Sequence, residues 1–224
     1  MKYVIMCGGT YNNFEEPKQF FKINGERLVD RTIRLLRENG VEDIVITSNN
    51  PAFDSCGVPR VSDENNTFSQ DKSWTNMKGF WLDAYYRFNE PTCYLHGDVF
   101  YSQKAIKTIV ETTPSEFVLF GTNPAVTTPN RRIKPWVEPL GFKVVNYETF
   151  YSGIDAVKLL FIQKRTRRHP ISWELYRYLC GYNINSSRLE KNWVCINDIS
   201  NDIDSPQDAA LIERLLNTRG EDLI

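Results

Sequence analysis

Three short segments of this 224-residue chain carry side chains suited to handling phosphate. The first runs Cys7-Gly8-Gly9-Thr10-Tyr11-Asn12-Asn13-Phe14-Glu15-Glu16-Pro17-Lys18-Gln19-Phe20. Glycines that follow a strand let backbone N–H groups come close to an anion, because no Cβ intervenes. A lysine on a proline-stiffened turn nearby can neutralise phosphate charge. The segment is not a Walker loop, which needs Gly-Lys-Ser/Thr, nor a GxGxxG fingerprint.

The second segment is Tyr94-Leu95-His96-Gly97-Asp98-Val99-Phe100. An aspartate just past a buried strand, preceded by glycine, can present its carboxylate at a sheet edge. Mg²⁺ takes hard oxygen ligands, often one or two carboxylates with phosphate oxygens and water. Asp98 serves equally well as a cap for a helix starting near Ser102. The third segment, Asn197-Asp198-Ile199-Ser200-Asn201-Asp202-Ile203-Asp204-Ser205-Pro206-Gln207-Asp208, offers further carboxylates. Here Asp204 or Ser205 before Pro206 also reads as a helix N-cap. Two carboxylates on converging loops would make a metal site.

His96 borders Asp98, and a packed or hydrogen-bonded role suits it better than catalysis, since phosphate nucleophiles are already ionised. No Ser-His-Asp pattern and no zinc spacing are present. Basic clusters at Arg131, Arg132 and Lys134, and at Lys164, Arg165, Arg167 and Arg168, fit either a phosphate or a solvated surface.

The elements that must position these groups alternate. Lys2–Met6 is a buried strand that breaks at Gly8-Gly9. A helix over 28–39 ends at Gly40, and a second buried strand covers 43–47, followed by the Ser48-Asn49 turn. Residues 54–72 read as a surface loop, and 74–88 as an apolar helix capped by Ser73. A strand at 92–95, a helix at Gln103–Glu111 and a strand at 116–121 follow. This rhythm predicts an α/β fold, a mostly parallel twisted sheet with helices on both faces. Ligands of such sheets bind at the carboxyl ends of the strands, where both glycine loops fall.

Residues 122–136 read as an excursion over the mouth of the site. Beyond them come a strand at 141–145, aromatic helices near 147–162 and 171–180, a strand at 193–196 and a closing helix at 206–217. The expectation is one domain over 1–224. Its parts are 1–121, 122–192 and 193–224.

Composition narrows the partners. Hydrophobic residues make up 41% and charged residues 25%, which suits a folded core. The net charge of −1 gives no global attraction to nucleic acid or an anionic membrane. Five scattered cysteines without CxxC suggest a reducing compartment. No stretch approaches the roughly 20 apolar residues of a membrane span, and Tyr3-Val4-Ile5-Met6 is too short for a signal peptide's core. A cytoplasmic location is expected, and the aromatic helices between 147 and 182 could support a homo-oligomer.

On these motifs the chain resembles the nucleotidyltransferases of the GT-A-like α/β fold, which include sugar-phosphate nucleotidyltransferases and cytidylyltransferases. Met6 to Gly9, Pro17-Lys18 and Gly25-Glu26-Arg27-Leu28 stand where that family has its strand, glycine loop, Pro-Lys and turn into a helix. Pro17-Lys18-Gln19-Phe20 is similar to the methylerythritol-phosphate and ribitol-phosphate cytidylyltransferases. Trp74-Thr75-Asn76-Met77 resembles the family's Asn-containing turn, and His96-Gly97-Asp98 its first metal aspartate. Asp202-Ile203-Asp204-Ser205-Pro206-Gln207-Asp208 resembles the closing segment, with Asp204 as the second metal ligand. One departure is Tyr11, which stands where the family usually has an arginine.

The resemblance implies transfer of a nucleoside monophosphate from an NTP, CTP preferred, to a phosphorylated small molecule, with Mg²⁺ as cofactor. Such a product would be an activated precursor for surface polysaccharide or a related glycoconjugate. Residues 1–121 would be a nucleotide-binding half, 122–192 an acceptor-shaping region and 193–224 a closing metal-loop segment, and Lys18 would be catalytic. Cys7, Gly8, Gly9, Thr10, Tyr11, Ser48, Asn76 and Gly97 would bind the nucleotide, and Asp98 and Asp204 the metal. Arg131, Arg132, Lys134, Lys143 or Lys158 would meet the acceptor phosphate. Two other readings stay open: a glycosyltransferase of the same fold, although Gly97-Asp98-Val99-Phe100 lacks Asp-x-Asp, and a non-catalytic nucleotide binder.

Overall fold

The computed structural model describes residues 1–8, 16–63, 79–122 and 136–219. In chain order the strands and helices are β1 (Lys2–Met6), β2 (Lys22–Ile23), β3 (Glu26–Arg27), α1 (Leu28–Glu38), β4 (Ile44–Thr47), β5 (Arg60–Val61), β6 (Thr92–His96) and β7 (Val99–Phe100). They continue with α2 (Gln103–Glu111), β8 (Phe117–Gly121), β9 (Pro139–Val144), α3 (Tyr147–Ile162), α4 (Ser172–Leu179), β10 (Trp193–Cys195), β11 (Asn201–Asp202) and α5 (Pro206–Arg219).

Seven strands form the central sheet in the order β10-β8-β9-β6-β1-β4-β5. All neighbours are parallel except β9, which runs antiparallel between β6 and β8. Residues before 121, between 137 and 145, and after 192 all contribute strands to this one sheet.

Period-two alternation divides the core. Tyr3, Ile5 and Cys7 of the first strand segment, Ile44, Ile46, Cys93, Leu95, Val118 and Phe120 pack with α1 and α2 on one face. Val4, Met6, Val45, Tyr94, Phe117, Leu119, Phe142 and Val144 pack with α3 and α4 on the other. Both faces are covered, which is why the strands read as continuous apolar runs. A third apolar cluster joins Ile23, Leu28, Phe100, Ile199, Ile203, Ala209, Ile212 and Leu215, and docks α5 beside the sheet's rim.

Local chemistry sets the ends of the helices. The Ser102 hydroxyl accepts from Ala105 N at the start of α2, and the Asn146 side chain accepts from Thr149 N at the start of α3. Helix α1 stops at Gly40, whose φ of +79° lies in the left-handed region. At Gly153 in α3 a Cβ would lie 2.7 Å from Leu179 Cδ2, so glycine lets α4 approach. No helix among the described residues is long and apolar enough to cross a membrane. All five cysteines are free.

Two expectations change. The apolar helix over 74–88 is not found in its described part, 79–88. Gly79 takes φ +75°, and only a 3-10 turn, Trp81–Ala84, follows. Asp83 accepts from Phe80 N and pairs with Lys158, which ties the turn down before a longer helix can form. Within the expected loop 54–72, residues 60–61 form the edge strand β5 on β4. Two residues are too few to leave a periodic signal. Ser73, Trp74 and Asn76 lie outside the described residues, as does 123–135, most of the expected excursion.

Lys143 breaks the apolar alternation of β9 and is resolved by a cap. Its buried Nζ donates to Ile109 O at 3.0 Å and to Val110 O at 2.8 Å, carbonyls near the end of α2. Burial pushes its ammonium below the usual lysine value. Replacing it by methionine keeps the volume but strands two carbonyls, so Lys143→Met should lower unfolding stability by about 2 kcal/mol. Urea denaturation reads this, and an unchanged midpoint would remove the cap from the account.

Candidate active site

The chain leaves β1 for β4 and β5 on one side, then returns to β6 on the other. The strand order therefore reverses between β1 and β6, and a crevice at the carboxyl ends of such a pair is the usual ligand position. At that point Gly97 N donates to Met6 O at 2.9 Å. A Cβ on Gly97 would lie 2.5 Å from Met6 O and 2.7 Å from Cys7 Sγ, so only glycine lets the two strand ends close. Gly97 acts here through packing.

Asp98 follows at once and is tied to a segment more than a hundred residues away. Strands β7 and β11 pair antiparallel, Val99 opposite Asp202 and Phe100 opposite Asn201. Ile203 N donates to Asp98 O at 2.8 Å. The ribbon is fastened at its far end by a buried polar cluster. Ser102 Oγ donates to Asp198 Oδ2 at 2.6 Å, Ser102 N to Ser200 Oγ at 2.8 Å, and Ser200 N to Asp198 Oδ1 at 2.7 Å. Asp204 emerges from the near end. Asp208 Oδ2 accepts from Asp204 N and Ser205 N, and Ser205 Oγ accepts from Asp208 N, a capping box that starts α5.

Lys18 arrives from a third direction. Pro17 opens a 3-10 turn, Lys18–Phe20, in which Phe20 N donates to Pro17 O at 2.7 Å. Gln19 and Phe20 are buried, with Phe20 against the Phe53 ring at 4.7 Å and the Arg27 guanidinium at 4.6 Å. That anchoring leaves the Lys18 stem to reach the rim. Its Nζ lies 2.6 Å from Asp98 Oδ2 and 3.3 Å from Asp204 Oδ1. Burial alone would lower the Lys18 pKa, but Asp98 first and Asp204 second outweigh it and hold the ammonium above its usual value.

Two carboxylates from separate loops thus share one cation position. Hard oxygens in this arrangement fit a Mg²⁺ that takes its remaining ligands from phosphate and water. Among the described residues no group of three or more His, Cys, Asp and Glu side chains could hold a metal unaided.

The other sequence candidates divide. Gly8 is exposed beside the strand end, while Cys7 is fully buried and its N–H donates to Thr47 O at 3.0 Å, so Cys7 holds β1 against β4 rather than facing a ligand. Gly9, Thr10, Tyr11, Asn76, Arg131, Arg132 and Lys134 lie outside the described residues. Ser48 is buried, its hydroxyl accepting from Asn50 N, so it closes the turn after β4 rather than facing a ligand. Lys143 caps α2 from a position opposite Cys93 and Val118, towards the sheet's other end. Lys158 is buried and paired with Asp83, against the Phe80 ring. Neither lysine is available for an acceptor phosphate. His96 packs edge-on to Trp81 and lies 3.4 Å from Ser172 Oγ; burial pushes its imidazole down to about 4.

Sequence reasoning missed the Ser102–Asp198–Ser200 fastening, because single hydroxyls beside two-residue strands carry no pattern. It also missed the β2–β3 hairpin, which supports Lys18's turn. There Asn24 and Gly25 take φ +49° and +83°, the pair that a two-residue hairpin with both central φ positive prefers, so the Asn-Gly dipeptide was an available signal.

Comparison with known proteins agrees with the fold. The profile of the MobA-like NTP transferase domain matches residues 3–70. No curated protein matches the chain in sequence. Among solved structures, the CTP:phosphocholine cytidylyltransferase LicC of Streptococcus pneumoniae superposes with a TM-score of 0.56 at 15% identity, over 96% of this chain and 98% of that one. The 2-C-methyl-D-erythritol 4-phosphate cytidylyltransferase of Thermus thermophilus gives 0.55 at 12%, over 97% and 98%. The inositol-1-phosphate CTP transferase of T. maritima gives 0.52 at 17%, over 97% and 96%. The chain therefore has the α/β fold of the nucleotidyltransferase superfamily, and its residues 3–70 match the MobA-like domain of that group.

Proposed function

We propose that this chain is an Mg²⁺-dependent nucleotidyltransferase, which moves a nucleoside monophosphate from an NTP to a phosphorylated small molecule and releases pyrophosphate. The observation that carries the reading is the meeting of Lys18, Asp98 and Asp204 at the strand-order reversal. An ammonium beside two carboxylates, next to an exposed glycine, suits a triphosphate better than any neutral substrate.

In this reading an oxygen of the acceptor's phosphate attacks the α-phosphorus in line, the bond to the β-phosphate oxygen breaks, and pyrophosphate departs. Phosphoryl chemistry of this kind needs positioning and charge stabilisation more than covalent help. Gly8, Gly9 and Thr10 cradle the nucleotide through backbone groups. Lys18 stabilises charge growing on the α-phosphate. Asp98 and Asp204 would hold Mg²⁺, which when bound would neutralise the charge of the phosphates. No proton transfer is needed, because the acceptor phosphate is already ionised, and His96 is buried against Trp81 as a packing residue.

CTP is the preferred donor. The Pro17-Lys18-Gln19-Phe20 turn supports this, as do the three structural relatives, whose names refer to cytidylyl or CTP transfer. With Lys143 and Lys158 engaged elsewhere, Arg131, Arg132 and Lys134 are the basic residues assigned to the acceptor phosphate. A sugar phosphate or alditol phosphate is the expected acceptor, handled in the cytoplasm to make a polysaccharide or glycoconjugate precursor.

Lys18→Ala and Asp98→Ala should each cut turnover by about 10²–10³-fold while the fold survives. Pyrophosphate release with circular dichroism as a folding control measures this, and near-normal turnover in either variant removes that residue from the mechanism. Transfer of sugar from a nucleotide-sugar without pyrophosphate would select the glycosyltransferase reading instead. Donor choice is read by thermal shift with each of the four NTPs and Mg²⁺. CTP should give the largest stabilisation, and a shift confined to UTP or GTP would overturn that assignment.

A further inference from the structure

We propose that Lys18 occupies the cation position between Asp98 and Asp204 in the nucleotide-free protein, so that divalent metal enters only together with a nucleotide whose phosphates draw the ammonium away. The inference rests on the proposed function and deepens it, because it assigns the site an order of loading.

The geometry distinguishes the moving part from the fixed ones. Asp98 is held through its carbonyl by Ile203 N, and Asp204 through its N–H by Asp208, so both carboxylates sit on a tied ribbon. Lys18 reaches them by a flexible four-carbon stem from a turn anchored by buried Gln19 and Phe20. The Asp204 side chain is 58% exposed and that of Asp98 26%, so the pair is open to an incoming ion.

Charge then dictates the sequence of events. An ammonium 2.6 Å from one carboxylate and 3.3 Å from the other stands where a metal ligated by both would have to sit. A divalent ion and an ammonium cannot share that position, because like charges at such separation repel strongly. Metal alone must break both ion pairs and offers Lys18 no new partner. Metal arriving on a triphosphate brings anionic oxygens that take over the ammonium while the carboxylates take the ion. Lys18 thereby changes partner from carboxylate to phosphate, which is also where the chemistry needs it.

The test is Mn²⁺ binding without nucleotide, followed by calorimetry and by the electron paramagnetic resonance of free Mn²⁺, for wild type, Lys18→Met and Lys18→Arg. Wild type and Lys18→Arg should bind Mn²⁺ weakly. Lys18→Met should bind it about tenfold tighter or more, since it has no partly exposed ion pairs to give up. Its melting temperature should rise with Mn²⁺ alone, and Asp98→Asn added to Lys18→Met should abolish the gain. If Lys18→Met does not fold, Lys18→Gln makes the same comparison. Equal Mn²⁺ affinity in wild type and the neutral variant overturns the inference. If wild type releases pyrophosphate from CTP or another NTP and takes up Mn²⁺ beyond what the nucleotide alone chelates, the proposed function stands whichever way that comparison falls. If no NTP promotes Mn²⁺ uptake by wild type, both readings fail.

Discussion

Two carboxylates held side by side at the rim of a sheet require a cation between them, and much of this structure is arranged around that requirement. Asp98 and Asp204 come from segments far apart in the chain, so their proximity has to be built by backbone. Strand β7 pairing with β11 does this, and the Ser102–Asp198–Ser200 cluster fixes the other end of the ribbon. The positive charge comes from Lys18, placed by a third loop. No two of these loops would suffice.

The energetics put packing first and charge second. Partly exposed ion pairs contribute about 0–1 kcal/mol each, so Lys18 with its two aspartates does not account for the stability of this end of the molecule. What holds it is the cluster of Ile23, Leu28, Phe100, Ile199, Ile203, Ala209, Ile212 and Leu215, which joins the β2–β3 hairpin, the ribbon and α5. Burying a large apolar side chain contributes about 1.5–3 kcal/mol relative to exposure. The apolar cluster therefore fixes the loops, and the charged groups inherit their positions. That division leaves the ammonium free to exchange partners without unfolding its surroundings.

The elements that were legible in the sequence are those whose packing leaves a period or an apolar run. Helix α2, ending at Glu111, shows a period because it lies on the sheet by a single stripe. The buried strands β1, β4, β6 and β8 were legible instead as short continuous apolar runs, because both faces of the sheet are covered. The Pro17-Lys18, Gly97-Asp98 and Asp204-Ser205-Pro206 motifs were legible too, and the fold brings Lys18, Asp98 and Asp204 together. What was not legible depends on partners distant in sequence. The stretch 79–88 looks helical from its apolar content, yet Asp83 is claimed by Lys158 and Phe80 N, and Gly79 turns left-handed. Strands β5, β7 and β11 are two residues long, and only their neighbours make them strands.

Lysines show most plainly why type and motif do not assign a role. Lys18 was expected at the α-phosphate and Lys143 or Lys158 at the acceptor phosphate, roles that charge alone does not tell apart. Lys143 donates to two carbonyls at the end of α2, so a ligand could engage it only by uncapping a helix in the core. Lys158 is buried against the Phe80 ring and paired with the half-buried Asp83, and removing either partner would strand a charge. Lys18 alone of the three has an exposed partner, Asp204, and it lies at the strand-order reversal. A cation whose partners are buried backbone or a shielded acid is committed to the fold. One shared between two carboxylates, one of them exposed, can trade them for phosphate oxygens, and this is the property that separates a site from a scaffold here.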